Sequence, residues 1–174
     1  MSRKSQEMYS TTTNLSPGQI SKGLHLALNQ AKEAYKKNTY PIGAVIVKPD
    51  GELVAQAHNL VVLNNDPTAH AEMEAIRRAG KYLRQNKYQA ILYTTVEPCL
   101  MCMGAILAAD ISTVVWAVSD NYGGAVQLVV NMYIKGNSRK PKLIAEPLPE
   151  IASSIREMMR DWEHSRGYSA ANWE

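Results

Sequence analysis

The stretch that decides the fold is Ala90-Ile91-Leu92-Tyr93-Thr94, followed closely by Glu97-Pro98-Cys99-Leu100-Met101-Cys102-Met103-Gly104-Ala105-Ile106-Leu107-Ala108-Ala109. The first run is short, apolar and β-branched, which predicts a strand over Ala90–Thr94. Pro98 suits the first position of a helix, because its missing N–H has no intrahelical partner to lose there. The spacing then predicts a helix from Pro98 to Ala109 with Cys99 and Cys102 in its first turns. Ala105 to Ala109 is apolar on every side, so this helix is expected to be buried at the centre of the protein. A strand over Thr113–Ala117 follows.

Upstream, Asp66 and Pro67 read as N-cap and first position of another helix, running towards Gly80, with His70 and Glu72 near its start. Ile42–Val47 and Leu53–Ala57 are apolar runs joined by Lys48-Pro49-Asp50-Gly51, a β-hairpin. Before them, Ile20, Leu24, Ala27, Leu28, Ala31 and Tyr35 recur at helical spacing, and Pro41 closes that helix. Downstream, the pattern predicts a helix over Ala125–Tyr133, an edge strand over Lys142–Ala145, and a closing amphipathic helix through Ile151, Ile155, Met158, Met159 and Trp162. Helices alternating with short strands after a hairpin predict a mixed sheet covered on both faces, a three-layer α/β/α domain.

The chain has 174 residues, enough for one such domain and short for two. Residues 1–15 are polar and Ser/Thr-rich and read as a flexible arm, 16–166 as the domain, and 167–174 as a tail. The net charge of +3 permits a nucleic-acid partner without demanding one. No apolar run is long enough for a membrane span, and the start lacks a signal-peptide core, so the expectation is a soluble cytoplasmic protein without a membrane partner. The only two cysteines lie three apart, which suits metal or redox chemistry better than a disulfide framework.

His70, Cys99 and Cys102 supply one imidazole and two thiolates. A catalytic zinc site uses three protein ligands and leaves a fourth position for water. Helix starts favour thiolate over thiol, and a nearby carboxylate, Glu72, is placed to move protons between water, a ring nitrogen and a departing amine. Taken singly, Cys-x-x-Cys also fits a redox pair or half of a structural zinc site, and His-x-Glu an ordinary surface pair. Jointly, and in this order, they fit metal-assisted hydrolysis.

His-x-Glu followed by Pro-Cys-x-x-Cys is the pattern of zinc deaminases. The chain resembles the cytidine and deoxycytidylate deaminase superfamily over about Gln19 to Asp120, most specifically in Tyr40–Val45, Asn65–Glu72 and Leu92–Ile106. Within it, the chain is similar to the branch of tRNA adenosine deaminases, guanine deaminases and cytosine deaminases. The resemblance implies a five-stranded mixed sheet, one zinc ion per chain between two central helices, and a homodimer. It implies that Asn59 holds the base or ribose and that the backbones of Ala71 and Pro98 line the pocket.

The segment Asp120–Gln127 matches the small-residue loop of the tRNA enzymes only in part. The aromatic end, Gly167 to Trp173, resembles tails that close over small substrates, with Tyr168 or Trp173 as the lid. The resemblance therefore implies a free nucleobase or nucleoside, a guanine-type purine ahead of cytosine or cytidine. The alternative is the wobble adenosine of tRNA. Arg77, Arg78, Lys81, Arg84 and Lys87 could meet phosphate but read first as a solvated helix face. His25, His58 and His164 match no ligand position.

Overall fold

The computed structural model describes residues 15–126 and 140–173. Helix α1 (Pro17–Lys36) opens with a reciprocal cap: the Gln19 amide donates to Ser16 Oγ, and the Ser16 amide donates to Gln19 Oε1. Each bond satisfies a backbone donor that the helix start leaves free. Strands β1 (Gly43–Val47) and β2 (Leu53–His58) form the hairpin, closed by Gly51 N–H donating to Lys48 at 2.9 Å. Gly51 has φ +88°, which glycine adopts without steric cost. There follow α2 (Val61–Asn64), α3 (Ala71–Gln85), β3 (Ile91–Val96), α4 (Leu100–Ala108), β4 (Thr113–Val118), β5 (Lys142–Ala145), α5 (Pro149–His164) and a 3-10 turn (Ala171–Trp173).

The sheet order is β2-β1-β3-β4-β5. β1 is antiparallel to both neighbours, whereas β3, β4 and β5 are parallel, so the sheet is mixed. β1, β3 and β4 are buried along their whole length, as strands covered on both faces must be, while edge strands β2 and β5 are partly exposed. Ala44, Ile46, Leu92 and Val114 face α3 and α4, packing with Ala75, Met103 and Ile106. Val45, Tyr93 and Val115 face α1 and α5, packing with Leu24, Leu28, Ile151 and Ile155. The domain is three-layered, with a core on each side of the sheet.

Four features depart from the sequence expectations. Helix α3 starts at Ala71, not at Asp66-Pro67, and runs past Gly80 to Gln85. Helix α4 starts at Leu100, with Pro98 outside it. That helix is not buried all round: Cys102, Met103 and Ile106 point inward, while Leu100 is 59 % exposed and Gly104 and Ala108 are exposed. Tyr35 is exposed, and Ala34 closes the buried stripe of α1. The predicted Ala125–Tyr133 helix lies beyond residue 126 outside the described residues, as do residues 1–14 of the arm.

Gly43 sets how closely α1 approaches the sheet. A Cβ there would lie 2.2 Å from Ala27 O and 2.5 Å from Ala31 N, both backbone atoms that cannot swing aside. Gly43→Ala is expected to destabilise the fold by about 1–3 kcal/mol, the range for overpacking a tight contact. Denaturant unfolding would show this as a lower midpoint at unchanged slope. An unmoved midpoint would mean that α1 can ride outward freely.

Candidate active site

Two helix starts converge below the end of β3. His70 is the N-cap of α3 and Cys99 the N-cap of α4, both with extended backbone, φ −69° and −71°. N-cap side chains ordinarily accept a hydrogen bond from their own helix. Neither does so here; both are turned towards each other. Asp66 is spent on a turn preceding α3, where its carboxylate accepts from the amide and hydroxyl of Thr68, each at 2.8 Å. Those bonds, the amide first, hold the carboxyl below its usual range. This is why the Asp-Pro signal precedes the helix instead of starting it.

His70 Nδ1 lies 3.6 Å from Cys99 Sγ and 3.6 Å from Cys102 Sγ. All three donor atoms lie within 4.8 Å of one another. Bonds of about 2.05 Å to nitrogen and 2.3 Å to sulfur at a tetrahedral angle give an N···S edge of about 3.6 Å. The spacing is therefore that of ligands around one zinc-sized ion, and the donor set fits it. Without an ion the three form an acid–base cluster. The Cys102 thiol pushes Cys99 down to about 4, assisted by His70, and the same pairing plus burial pushes Cys102 up. The hydrogen bond to Cys99 raises His70.

Glu72, in the first turn of α3, is 3 % exposed. Its Oε1 accepts from Thr94 Oγ1 at 2.9 Å, and Cys102 Sγ donates to its Oε2 at 3.6 Å. Burial pushes its carboxyl above the ordinary range, because it disfavours the charged form. The structure thus brings together all four residues singled out for chemistry.

His70 also borders a cavity of about 770 Å³. Asn59, 3 % exposed, lines it too. The Asn59 Oδ1 accepts from Thr39 Oγ1 at 3.1 Å and from Val61 N at 3.0 Å. The oxygen being occupied, its amide N–H₂, without a partner among the described residues, is the group left for a ligand. Ala71 and Pro98 are buried and are not among the cavity-lining residues. The Pro98 carbonyl already accepts from Ala125 N at 3.1 Å.

Residues 17–118 match the family described as the cytidine and deoxycytidylate deaminase zinc-binding region. The chain belongs to this family. It is 37 % identical to the tRNA-specific adenosine deaminase of Aquifex aeolicus, covering 79 % of this chain and 91 % of that one. It is 32 % identical to the cytosine deaminase of Candida albicans, covering 84 % and 95 %. The solved guanine deaminase of Bacillus subtilis superposes with a TM-score of 0.54 at 32 % identity, covering 86 % and 94 %. The protein is accordingly a hydrolytic deaminase acting on C–N bonds, and its fold is cytidine deaminase-like.

The deaminase builds the rest of the cavity wall from parts that sequence reasoning weighed less. After β4, Asp120, Tyr122 and Gly123 line one side. Glu97 anchors this loop by accepting from Asp120 N and Val126 N, each at 3.3 Å. Gly124 packs so closely there that a Cβ would lie 2.4 Å from Asp120 O and 2.6 Å from the Glu97 carboxyl carbon. An isolated bridge pairs Gly124 with Cys99, tying the loop to the metal-ligand candidate.

The C-terminal tail of the deaminase, with Met159 and Glu163 of α5, also lines the cavity. Trp173, 3 % exposed, lines the cavity. Its indole N–H donates to Glu163 Oε1 at 2.9 Å, and its carbonyl accepts from Arg160 at 2.8 Å. Asn172 donates to Asp120 Oδ1 at 2.8 Å, joining tail to loop. Tyr168 is 60 % exposed and does not line the cavity, whereas Trp173 does. Thr94 and Glu97 fall in the stretches that carry the resemblance, but sequence reasoning assigned neither a role of its own. A signal existed for the first: two threonines inside an otherwise apolar central strand are polar groups that must find buried partners.

Proposed function

We propose that the deaminase binds one zinc ion through His70, Cys99 and Cys102 and removes the exocyclic amino group of a small nucleobase or nucleoside, a guanine-type purine first, releasing ammonia. When bound, zinc lowers the pKa of a water to about 7 and makes it a nucleophile at neutral pH. Glu72 takes one proton from the attacking water and passes it to the ring nitrogen, then takes the second from the hydroxyl that the water has become and delivers it to the leaving amine. One C–O bond forms, one C–N bond breaks, and the ring carbon is left as a carbonyl. Asn59 offers its amide N–H₂ to an acceptor on the substrate.

The observation that carries the small-substrate reading is the tail pinned across the cavity by Asn172, Trp173 and Arg160. The charge of the wall supports it: Asp120 and Glu163 line the cavity and, among the described residues, no Lys or Arg does. Phosphate groups would meet carboxylates there, which is unfavourable at close range.

Wobble adenosine in tRNA is the second reading, and the comparisons weigh towards it, because the Aquifex relative is 37 % identical against 32 % for the Candida cytosine deaminase. The basic stretch on α3 supports it less: Arg77 is paired with Glu74, and Arg78 donates to the Gln56 carbonyl. Ammonia release from guanine, guanosine, cytosine, cytidine, adenine and an anticodon stem-loop separates the readings. Activity on the stem-loop alone would replace the first by the second.

Removing residues 167–174 is expected to raise KM for the free compound on the order of tenfold, a loss of about 1.4 kcal/mol of binding, at unchanged zinc content. Unaltered KM would remove Trp173 from the substrate site. The proposal includes a homodimer, with the exposed apolar strip of Leu100, Gly104 and Ala108 on α4 as the surface a second copy covers. Sedimentation as a monomer would defeat that part alone.

A further inference from the structure

We propose that Thr94 holds the Glu72 carboxylate off the metal position, so that the site keeps three protein ligands and an open place instead of closing into a four-ligand structural centre. The inference rests on the zinc set proposed above. Glu72 Oε2 lies 3.6 Å from Cys102 Sγ, the same separation that His70 Nδ1 keeps from each sulfur. The carboxylate is thus next to one of the three donors, but it stands outside the group whose ligand atoms all lie within 4.8 Å of one another, so it sits beside the metal position without completing it. Carboxylate oxygen is a competent zinc ligand, and structural zinc sites are those in which four protein groups complete the tetrahedron. A buried carboxylate gains further from lying against a cation, since burial leaves it little other solvation.

What opposes this is the hydrogen bond from Thr94 Oγ1 to the other carboxylate oxygen, at 2.9 Å. Among the described residues, Thr94 and Cys102 are the side-chain partners of Glu72. The hydroxyl is fixed from behind. Thr94 is fully buried on the central strand β3, paired with Ala44 on one side and Trp116 on the other, so the backbone cannot follow if the carboxylate turns. Thr94 is thus a positioning residue, acting through Glu72.

Thr94→Val replaces the hydroxyl with a methyl of similar shape, and Thr94→Ser retains the hydroxyl. In zinc-loaded Thr94→Val, release of zinc to an excess of chelator is expected to slow about tenfold and turnover to fall about tenfold, the lower end of what outer-shell partners of metal sites control. KM should stay near the parent value, and Thr94→Ser should restore both rates. Cobalt put in place of zinc should give a visible spectrum that differs between Thr94→Val and the parent and coincides between Thr94→Ser and the parent. Thr94→Ala, which also lacks the hydroxyl, should repeat the result if the valine variant folds poorly. Zinc leaving the hydroxyl-free variants as fast as or faster than the parent overturns the inference. A parent protein that takes up no zinc defeats the metal set and this inference together, whereas zinc uptake with unchanged release defeats the inference alone.

Discussion

Glu72→Gln is expected to leave the protein folded and zinc-loaded while lowering deamination by about 10²–10⁴-fold, the usual worth of a positioned general acid–base group. Glutamine matches the shape of the carboxylate and can accept the Thr94 hydroxyl through its amide oxygen, so the interior is not disturbed. It cannot carry a proton from water to ring nitrogen. Ammonia release measured beside zinc content makes the point, because only the first should fall. Turnover within a few-fold of the parent would remove Glu72 from the reaction.

Cys102→Ala should do the opposite: zinc content falls, and turnover and stability fall with it. Cys102 is fully buried and supplies one of three donors, and two donors do not hold zinc at a site built for three. The stability effect follows from mass action, since a ligand present at about 1,000 times its Kd stabilises the folded state by about 4 kcal/mol. Added zinc should raise the melting temperature of the parent and leave that of Cys102→Ala nearly unmoved. A parent that purifies without zinc and holds Cys99 and Cys102 as a disulfide would restore the redox reading of the two cysteines.

The layers of the fold could be read from the sequence because they follow from burial alone. Continuous apolar runs mark the strands buried on both faces, and the 3.6-residue spacing marks α1 and α5. The errors cluster where local signals compete with the site. Pro67 and Pro98 are good helix openers, yet both helices wait until His70 and Cys99 have been placed as N-caps. That delay depends on where the two helices meet, which no local window records. The short α2 has too few residues to show a period. That His70, Glu72, Cys99 and Cys102 come together was legible because a zinc-type donor set restricts residue type and spacing. The cavity wall was not, since Asp120, Glu163 and Asn172 become neighbours only when the tail crosses the end of the sheet.

That crossing divides labour between the two sides of the sheet. The quartet is carried by α3, α4 and their N-caps on one side, while Glu163, Met159 and Trp173 arrive from α5 and the tail on the other. On the proposed function, the reacting residues and one part of the recognition wall therefore come from different sides of the sheet and meet at the cavity. If Glu163 and Trp173 touch the substrate as proposed, a lineage or an engineer that redrafts the tail and α5 changes which base is admitted while leaving the other side of the sheet intact. A framework of this kind can change its diet without relearning its chemistry.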